Sequence, residues 1–200
     1  MNVILDYKVG NLDSIQRGLQ RAGIDTMITN HIDLIQAAEL LILPGVGAFG
    51  DAMTDLRESN LIPAIKRHVE LGKPLIGICL GMQLLFEQST EFGVHQGLGF
   101  IPGTIEELTI DRKVPHMGWN DLTIRQTRPI VANIEDGDFV YFVHSFYAIT
   151  DEQYIIATTD YDVRIPAIVQ KDNVIGMQFH PEKSGEVGLK LLQTLKERLI

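Results

Sequence analysis

The sequence predicts an α/β protein: an open, mostly parallel central sheet flanked by helices, with an antiparallel β extension. Three observations carry this. Short apolar runs alternate with helical periodicity through residue 88, the pattern of right-handed βαβ units. After residue 100 the texture changes to closely spaced strand patterns, several of them in hairpins. The chain has 200 residues, 45% hydrophobic and 22% charged, which is long and apolar enough for one domain with a substantial core.

The elements follow in order. Val3-Ile4-Leu5 is a first strand and 7–11 a loop. Leu12, Ile15, Leu19 and Ala22 recur at helical spacing before Gly23 ends the helix. Thr26 to Thr29 is a second strand, Asp33 to Ala38 a short helix and Leu40 to Leu43 a third strand. Leu61 to Leu71 is helical after Pro63, and Pro74 to Ile78 is a buried strand that leads into a helix from Met82 onward. Strands are then expected at Thr104 to Ile110, Asp121 to Ile124, Phe139 to Val143, Tyr154 to Thr158, Ala167 to Gln170 and Val174 to Phe179. Asp172-Asn173 forms the last turn. A final helix runs from Glu186 to Leu199, with Val187, Leu191, Leu195 and Leu199 at four-residue steps. No linker, repeat or low-complexity tract divides the chain.

Charge and composition exclude several roles. Seventeen Lys and Arg against 26 Asp and Glu give a formal charge of −9, which repels phosphate backbones and anionic lipid. Nucleic-acid and membrane-surface partners are therefore not expected. The longest uncharged apolar stretch, Pro74 to Phe86, spans 13 residues and is too short to cross a bilayer. The first residues show no basic leader, so a cytoplasmic location is expected. One cysteine, Cys79, allows no internal disulfide and no multi-cysteine metal site. Neither a metal nor a cofactor is expected.

Three motifs carry chemistry. Gly77-Ile78-Cys79-Leu80-Gly81 leaves a buried strand and enters a helix, the context of a nucleophile elbow. The helix N-terminus behind Cys79 favours the thiolate, which is the nucleophile. Phe179-His180-Pro181-Glu182 follows the strand at Val174, on the same side of a parallel sheet as the elbow. A cysteine nucleophile needs an imidazole within reach and a carboxylate to orient it, and His180 and Glu182 supply both. The other histidines, His31, His68, His95, His116 and His144, read mostly as solvated or structural. Third, Gly45-Val46-Gly47-Ala48-Phe49-Gly50 fits a dinucleotide fingerprint literally, but Pro44 precedes it and it follows the third strand. Its glycines suit an oxyanion hole better, one amide from this loop pairing with that of Leu80. The loops after Leu43, Ile78 and Phe179 would then meet at one end of the sheet.

Together these motifs resemble the class I (triad) glutamine amidotransferases. Further segments resemble the glutaminase subunits of imidazole glycerol phosphate synthase over nearly the whole chain: Asp6-Tyr7 with Gly10-Asn11 and Ser14, Pro44 to Phe49, Gly77 to Leu85, Val114 to Asn120, Tyr141 to Ser145, and Gly176 to Ser184. The resemblance implies one amidotransferase domain over 1–200 in which Cys79 attacks the carboxamide of L-glutamine. His180 would be base and then acid, Glu182 would orient it, and Gly45, Val46, Gly47 and Leu80 would form the oxyanion hole. Gln83, Glu91 and Ser145 would hold the substrate. It also implies a heterodimer with a (β/α)8-barrel cyclase subunit. That partner uses the ammonia on N'-[(5-phosphoribulosyl)formimino]-AICAR ribonucleotide to make imidazole glycerol phosphate and AICAR ribonucleotide in histidine biosynthesis. Trp119, Asn120 and Lys183 are the expected interface residues.

Two positions depart from the family pattern. Lys8 stands where Gly usually follows Asp-Tyr, at a place that tolerates positive φ, and Phe146 stands where Tyr commonly follows His-Ser. Other readings make different predictions. The glutaminase of pyridoxal phosphate synthase prefers Gly-Gly-Glu-Ser at the oxyanion loop, unlike Gly45-Val46-Gly47-Ala48. A stand-alone γ-glutamyl hydrolase would work without a partner, a silent regulatory subunit would leave the thiol unreactive, and a nicotinamide-binding domain would titrate with nucleotide.

Overall fold

The computed structural model describes residues 1–198. Its first half alternates strand and helix: β1 (Asn2–Leu5), α1 (Leu12–Arg21), β2 (Thr26–Thr29), α2 (Ile32–Ala37), β3 (Leu40–Leu43), α3 (Phe49–Glu58), α4 (Ile62–Glu70) and β4 (Leu75–Ile78). A single helical turn, α5 (Leu80–Gln83), is followed by β5 (Phe86–Ser89), β6 (His95–Gln96), β7 (Ile101–Glu107), β8 (His116–Asp121), β9 (Thr123–Ile124), β10 (Phe139–His144) and β11 (Phe146–Ile149). The chain closes with β12 (Ile155–Tyr161), β13 (Val163–Lys171), β14 (Val174–Met177) and α6 (Gly185–Arg198).

The main sheet has eight strands in the order β2-β1-β3-β4-β14-β13-β12-β9. The first five are parallel, and the last three add on antiparallel, as the sequence predicts. Its central strands are apolar at every position because helices or loops cover both faces. Val3, Leu5, Leu41 and Leu43 point to one core layer, and Ile4, Leu40, Ile42 and Ile76 point to the other. Each such aliphatic side chain contributes roughly 1.5–3 kcal/mol by leaving water. Two smaller sheets, β11-β7-β5-β6 and β10-β8, build the wall beside the ends of β4 and β14.

Several elements differ from expectation, each for a physical reason. The helix expected from Met82 onward is a single turn that ends at Gln83, because the chain turns at Leu84-Leu85 and enters β5, where Phe86 pairs with Ile101 of β7. Helix α3 was hidden by the glycine-rich run that it begins in, although Phe49, Ala52, Met53 and Leu56 make a buried helical stripe. The expected strand from Asp121 to Ile124 is two strands: β8 pairs with β10 and β9 with β12, the chain changing sheets at the fully buried Leu122. Pro166 within β13 lies outside the 168–171 stretch paired to β14, so its missing N–H costs no ladder bond on that side. The Leu199 step of the final helix lies outside the described residues. Lys8 adopts φ +71, and its ammonium lies 3.3 Å from Glu58 and 3.9 Å from Asp55. The lysine thus keeps the left-handed backbone at this turn.

Candidate active site

β4 and β14 are parallel neighbours, with Ile78 opposite Met177. Both segments leave the sheet at the same end, which places the elbow and the His-Pro-Glu segment side by side. Cys79 N–H donates to the Met177 carbonyl at 2.8 Å, tying the elbow to that neighbour. Cys79 itself has φ 56 and ψ −116, a strained conformation costing on the order of 1–3 kcal/mol. The flanking residues make the turn possible. A Cβ on Gly81 would sit 1.9 Å from the Leu43 carbonyl oxygen, and one on Gly77 would sit 2.6 Å from the Gly81 oxygen. Glycine at these positions lets the elbow press against the end of β3, so the loop that follows Leu43 lies directly beside Cys79.

His180 Nδ1 lies 2.8 Å from Glu182 Oε1, with the two side chains only 3% and 1% exposed. A one-turn 3-10 helix, Pro181–Lys183, folds the carboxylate back onto the imidazole. Asn11 Nδ2 donates to the same Glu182 oxygen at 3.2 Å. Burial alone would hold the imidazolium below its ordinary range. The hydrogen bonds and charges of Cys79 and Glu182 outweigh burial and raise the His180 pKa to about 9. A proton therefore rests on His180 beside a sulfur that also contacts the Val143 carbonyl at 3.8 Å.

A cavity of about 370 Å³ opens over the thiol, a size that suits a small metabolite. Cys79, Leu80, Gln83, Glu91, Val46, Gly47, Ser145 and His180 line it. Leu80 opens α5, so its N–H has no acceptor within the helix, and the residue lines the cavity over the thiol. Gly45 is not among the lining residues: a Cβ there would meet the Gly81 nitrogen at 2.7 Å, so it packs the loop against the elbow. Glu91 accepts the Phe49 amide on Oε2 at 2.6 Å, which also satisfies the start of α3. Gln83 Nε2 donates to the Phe146 carbonyl at 3.1 Å and to Gln178 Oε1 at 3.0 Å. Phe146 thus acts through its backbone, and the hydroxyl that Tyr would bring is not needed for that contact.

Trp119 is 54% exposed and packs edge-to-face on Tyr141, with ring centroids 6.1 Å apart. A Cβ on Gly185 would lie 3.7 Å from the Trp119 ring, so the ring borders the turn that carries the exposed Lys183. Asn120, half-buried, turns inward to Asp160 and His116. The supporting residues Asn11, Gln178, His116 and His144 were not singled out as site residues from sequence. Their signal was present only as membership of the motif segments. Among the described residues no group of acidic, His or Cys side chains could hold a metal ion, and no helix is long and apolar enough to cross a membrane.

Residues 3–195 match the model of the glutamine amidotransferase class-I family, and the chain belongs to that family. Its relatives narrow this further. The imidazole glycerol phosphate synthase subunit HisH of Caldanaerobacter subterraneus is 49% identical over 197 residues, covering 98% of this chain and 97% of that protein. The HisH subunit of Aquifex aeolicus is 46% identical over 198 residues, covering 98% and 96%. Among solved structures, that of PurLQS from Thermotoga maritima superposes with a TM-score of 0.79 at 23% identity, covering 100% of this chain and 98% of the other. That likeness shows the shared fold.

Proposed function

We propose that this chain is the glutaminase subunit of a cytoplasmic imidazole glycerol phosphate synthase, releasing ammonia from L-glutamine for a docked cyclase barrel. The observation that carries the reading is the convergence of Cys79, His180 and Glu182 at the ends of two paired parallel strands, in a chain nearly half identical to HisH subunits.

The chemistry follows from the geometry. Cys79 sulfur attacks the carboxamide carbon, and the carbonyl π electrons move to oxygen. The amide of Leu80 and one from Val46 or Gly47 stabilise that oxyanion, an arrangement that contributes several kcal/mol when both donors are aligned (roughly 3–4 per donor). His180 gives its proton to the departing nitrogen, the C–N bond breaks and ammonia leaves a thioester. Water then attacks the thioester with His180 as base, and glutamate departs as the thiol is restored. Glu182 fixes the imidazole orientation and Asn11 braces Glu182. Gln83, Glu91 and Ser145 bind the polar ends of the substrate.

Ammonia released into neutral water becomes ammonium and loses its nucleophilicity, which is why an acceptor enzyme must dock over the site. The exposed Met117 and Trp119 with the nearby Lys183 have the aromatic, apolar and cationic mix of such an interface. A glutamine-mimicking electrophile tests the catalytic half. Stoichiometric labelling of Cys79, lost in His180→Ala and blocked by glutamine, is the expected result. An unlabelled thiol in the partner-bound protein would return a silent regulatory subunit.

A further inference from the structure

Two buried histidines that the proposed chemistry leaves unused connect the exposed strand to the cavity. His144 Nδ1 lies 2.9 Å from the Phe146 carbonyl oxygen. A carbonyl only accepts, so Nδ1 carries the proton and His144 Nε2 is an acceptor. His116 Nδ1, 2.9 Å from that Nε2, must then be a donor. Its own Nε2 is left to accept from Asn120 Nδ2, 3.3 Å away. Every donor in this chain points from Asn120 on β8 towards the cavity, and each bond fixes the tautomer of the next ring.

Packing and burial hold the arrangement. The His116 ring is stacked between Phe142 and Tyr161, with centroids 4.7 Å and 4.1 Å away and interplanar angles of 22° and 23°. Burial pushes the His144 pKa down to about 3 and that of His116 to about 4, the latter helped by Arg112, so both rings are neutral at pH 7. A second proton on either ring would set N–H against N–H.

The inner end of the chain reaches the substrate wall. The Phe146 carbonyl takes one bond from His144 and a second from Gln83 Nε2. The other Gln83 N–H goes to Gln178. With both hydrogens committed, the side-chain oxygen of Gln83 is the atom offered to the cavity, an acceptor that with the Glu91 carboxylate suits an ammonium group.

We propose that His116 and His144 are positioning residues for substrate binding, orienting Gln83 through the Phe146 carbonyl and anchoring that wall to the strand that carries Trp119. The inference rests on the glutaminase reading and adds residues to it. His116→Phe keeps the aromatic stack and removes both ring nitrogens, whereas His116→Asn keeps a donor near the Nδ1 position. In the complex with the cyclase subunit, His116→Phe should raise KM for glutamine about tenfold, with kcat within threefold of the wild type. His116→Asn should recover at least half of that loss on a logarithmic scale. A KM within twofold of the wild type in a folded His116→Phe protein overturns the proposal. If that variant does not fold, nitrogen-15 spectra of the wild-type histidines decide: both rings must be protonated on Nδ1 at pH 7, and an Nε2 proton on either overturns it. The tautomers are read without turnover, so failure of the positioning role and failure of the glutaminase reading remain distinguishable.

Discussion

Gly81→Ala probes the contact on which the site geometry depends. The added methyl would sit 1.9 Å from the Leu43 carbonyl oxygen, 2.8 Å from its carbon and 3.1 Å from the Pro44 carbon. All three are backbone atoms, so no side chain can rotate away, and β3 and the elbow must separate by about 1 Å or more to reach ordinary contact. Overpacking against backbone places the cost in the upper part of the usual range, about 2–3 kcal/mol. For a chain of this length that corresponds to a loss of about 4–12 °C in Tm. The same separation moves the loop beginning at Pro44 away from Cys79, and a shift of about 1 Å at a reacting centre costs on the order of 100-fold in rate. Gly10→Ala is the control, since its methyl meets only Val46 Cγ2 at an ordinary 3.6 Å. Thermal melts and glutamate release in the cyclase complex read both effects. Equal Tm and equal rates for the two variants would refute the close-packing argument.

Three further outcomes follow from other parts of the structure. The raised His180 pKa stabilises the fold fully below its ordinary value of 6.5, and this contribution is lost as pH rises through about 9. The stability gap between wild type and His180→Gln in urea should therefore shrink from pH 6 to pH 9.5, and a constant gap contradicts the assignment. Trp119→Ala should weaken cyclase binding by about 2 kcal/mol or more, roughly 30-fold, while Cys79 labelling by the electrophile is retained. Unchanged affinity in titration calorimetry would remove Trp119 from the interface. Lys8→Gly relieves about 1 kcal/mol of left-handed strain and loses exposed ion pairs worth less than that, so Tm should hold or rise slightly. A clear fall in Tm would show that the Glu58 and Asp55 pairs dominate.

The parallel half of the fold was legible because β1, β3 and β4 are buried almost throughout and read as continuous apolar runs. The edge strand β2, with Met27 44% exposed, reads instead from its β-branched Thr-Met-Ile-Thr composition. β2 and β3 fall within their expected limits, and β1 differs by one residue. The second half was harder. Strands β5, β6, β8 and β11 are short and partly exposed, and glycines interrupt the segments around them, so no period of two stands out. The His-x-carboxylate spacing was a weak guide, for His31 with Asp33 and His68 with Glu70 share it. His68 instead bonds the Pro74 carbonyl at the opposite end of β4. What distinguishes His180 is its place just after a strand that pairs in parallel with the strand of the elbow. The histidine chain from Asn120 to Phe146 was not legible, because its members come from β8, β10 and the start of β11 and meet only through pairing of His116 with His144 across β8 and β10.

The central claim is that Cys79 feeds ammonia to a docked partner. Glutamate release from glutamine, measured for the chain alone and with the cyclase subunit and its nucleotide substrate, tests it most directly, with Cys79→Ala as the blank. The account predicts strong stimulation by the loaded partner and none in the blank. Equal rates with and without the partner would mark an independent hydrolase and contradict it.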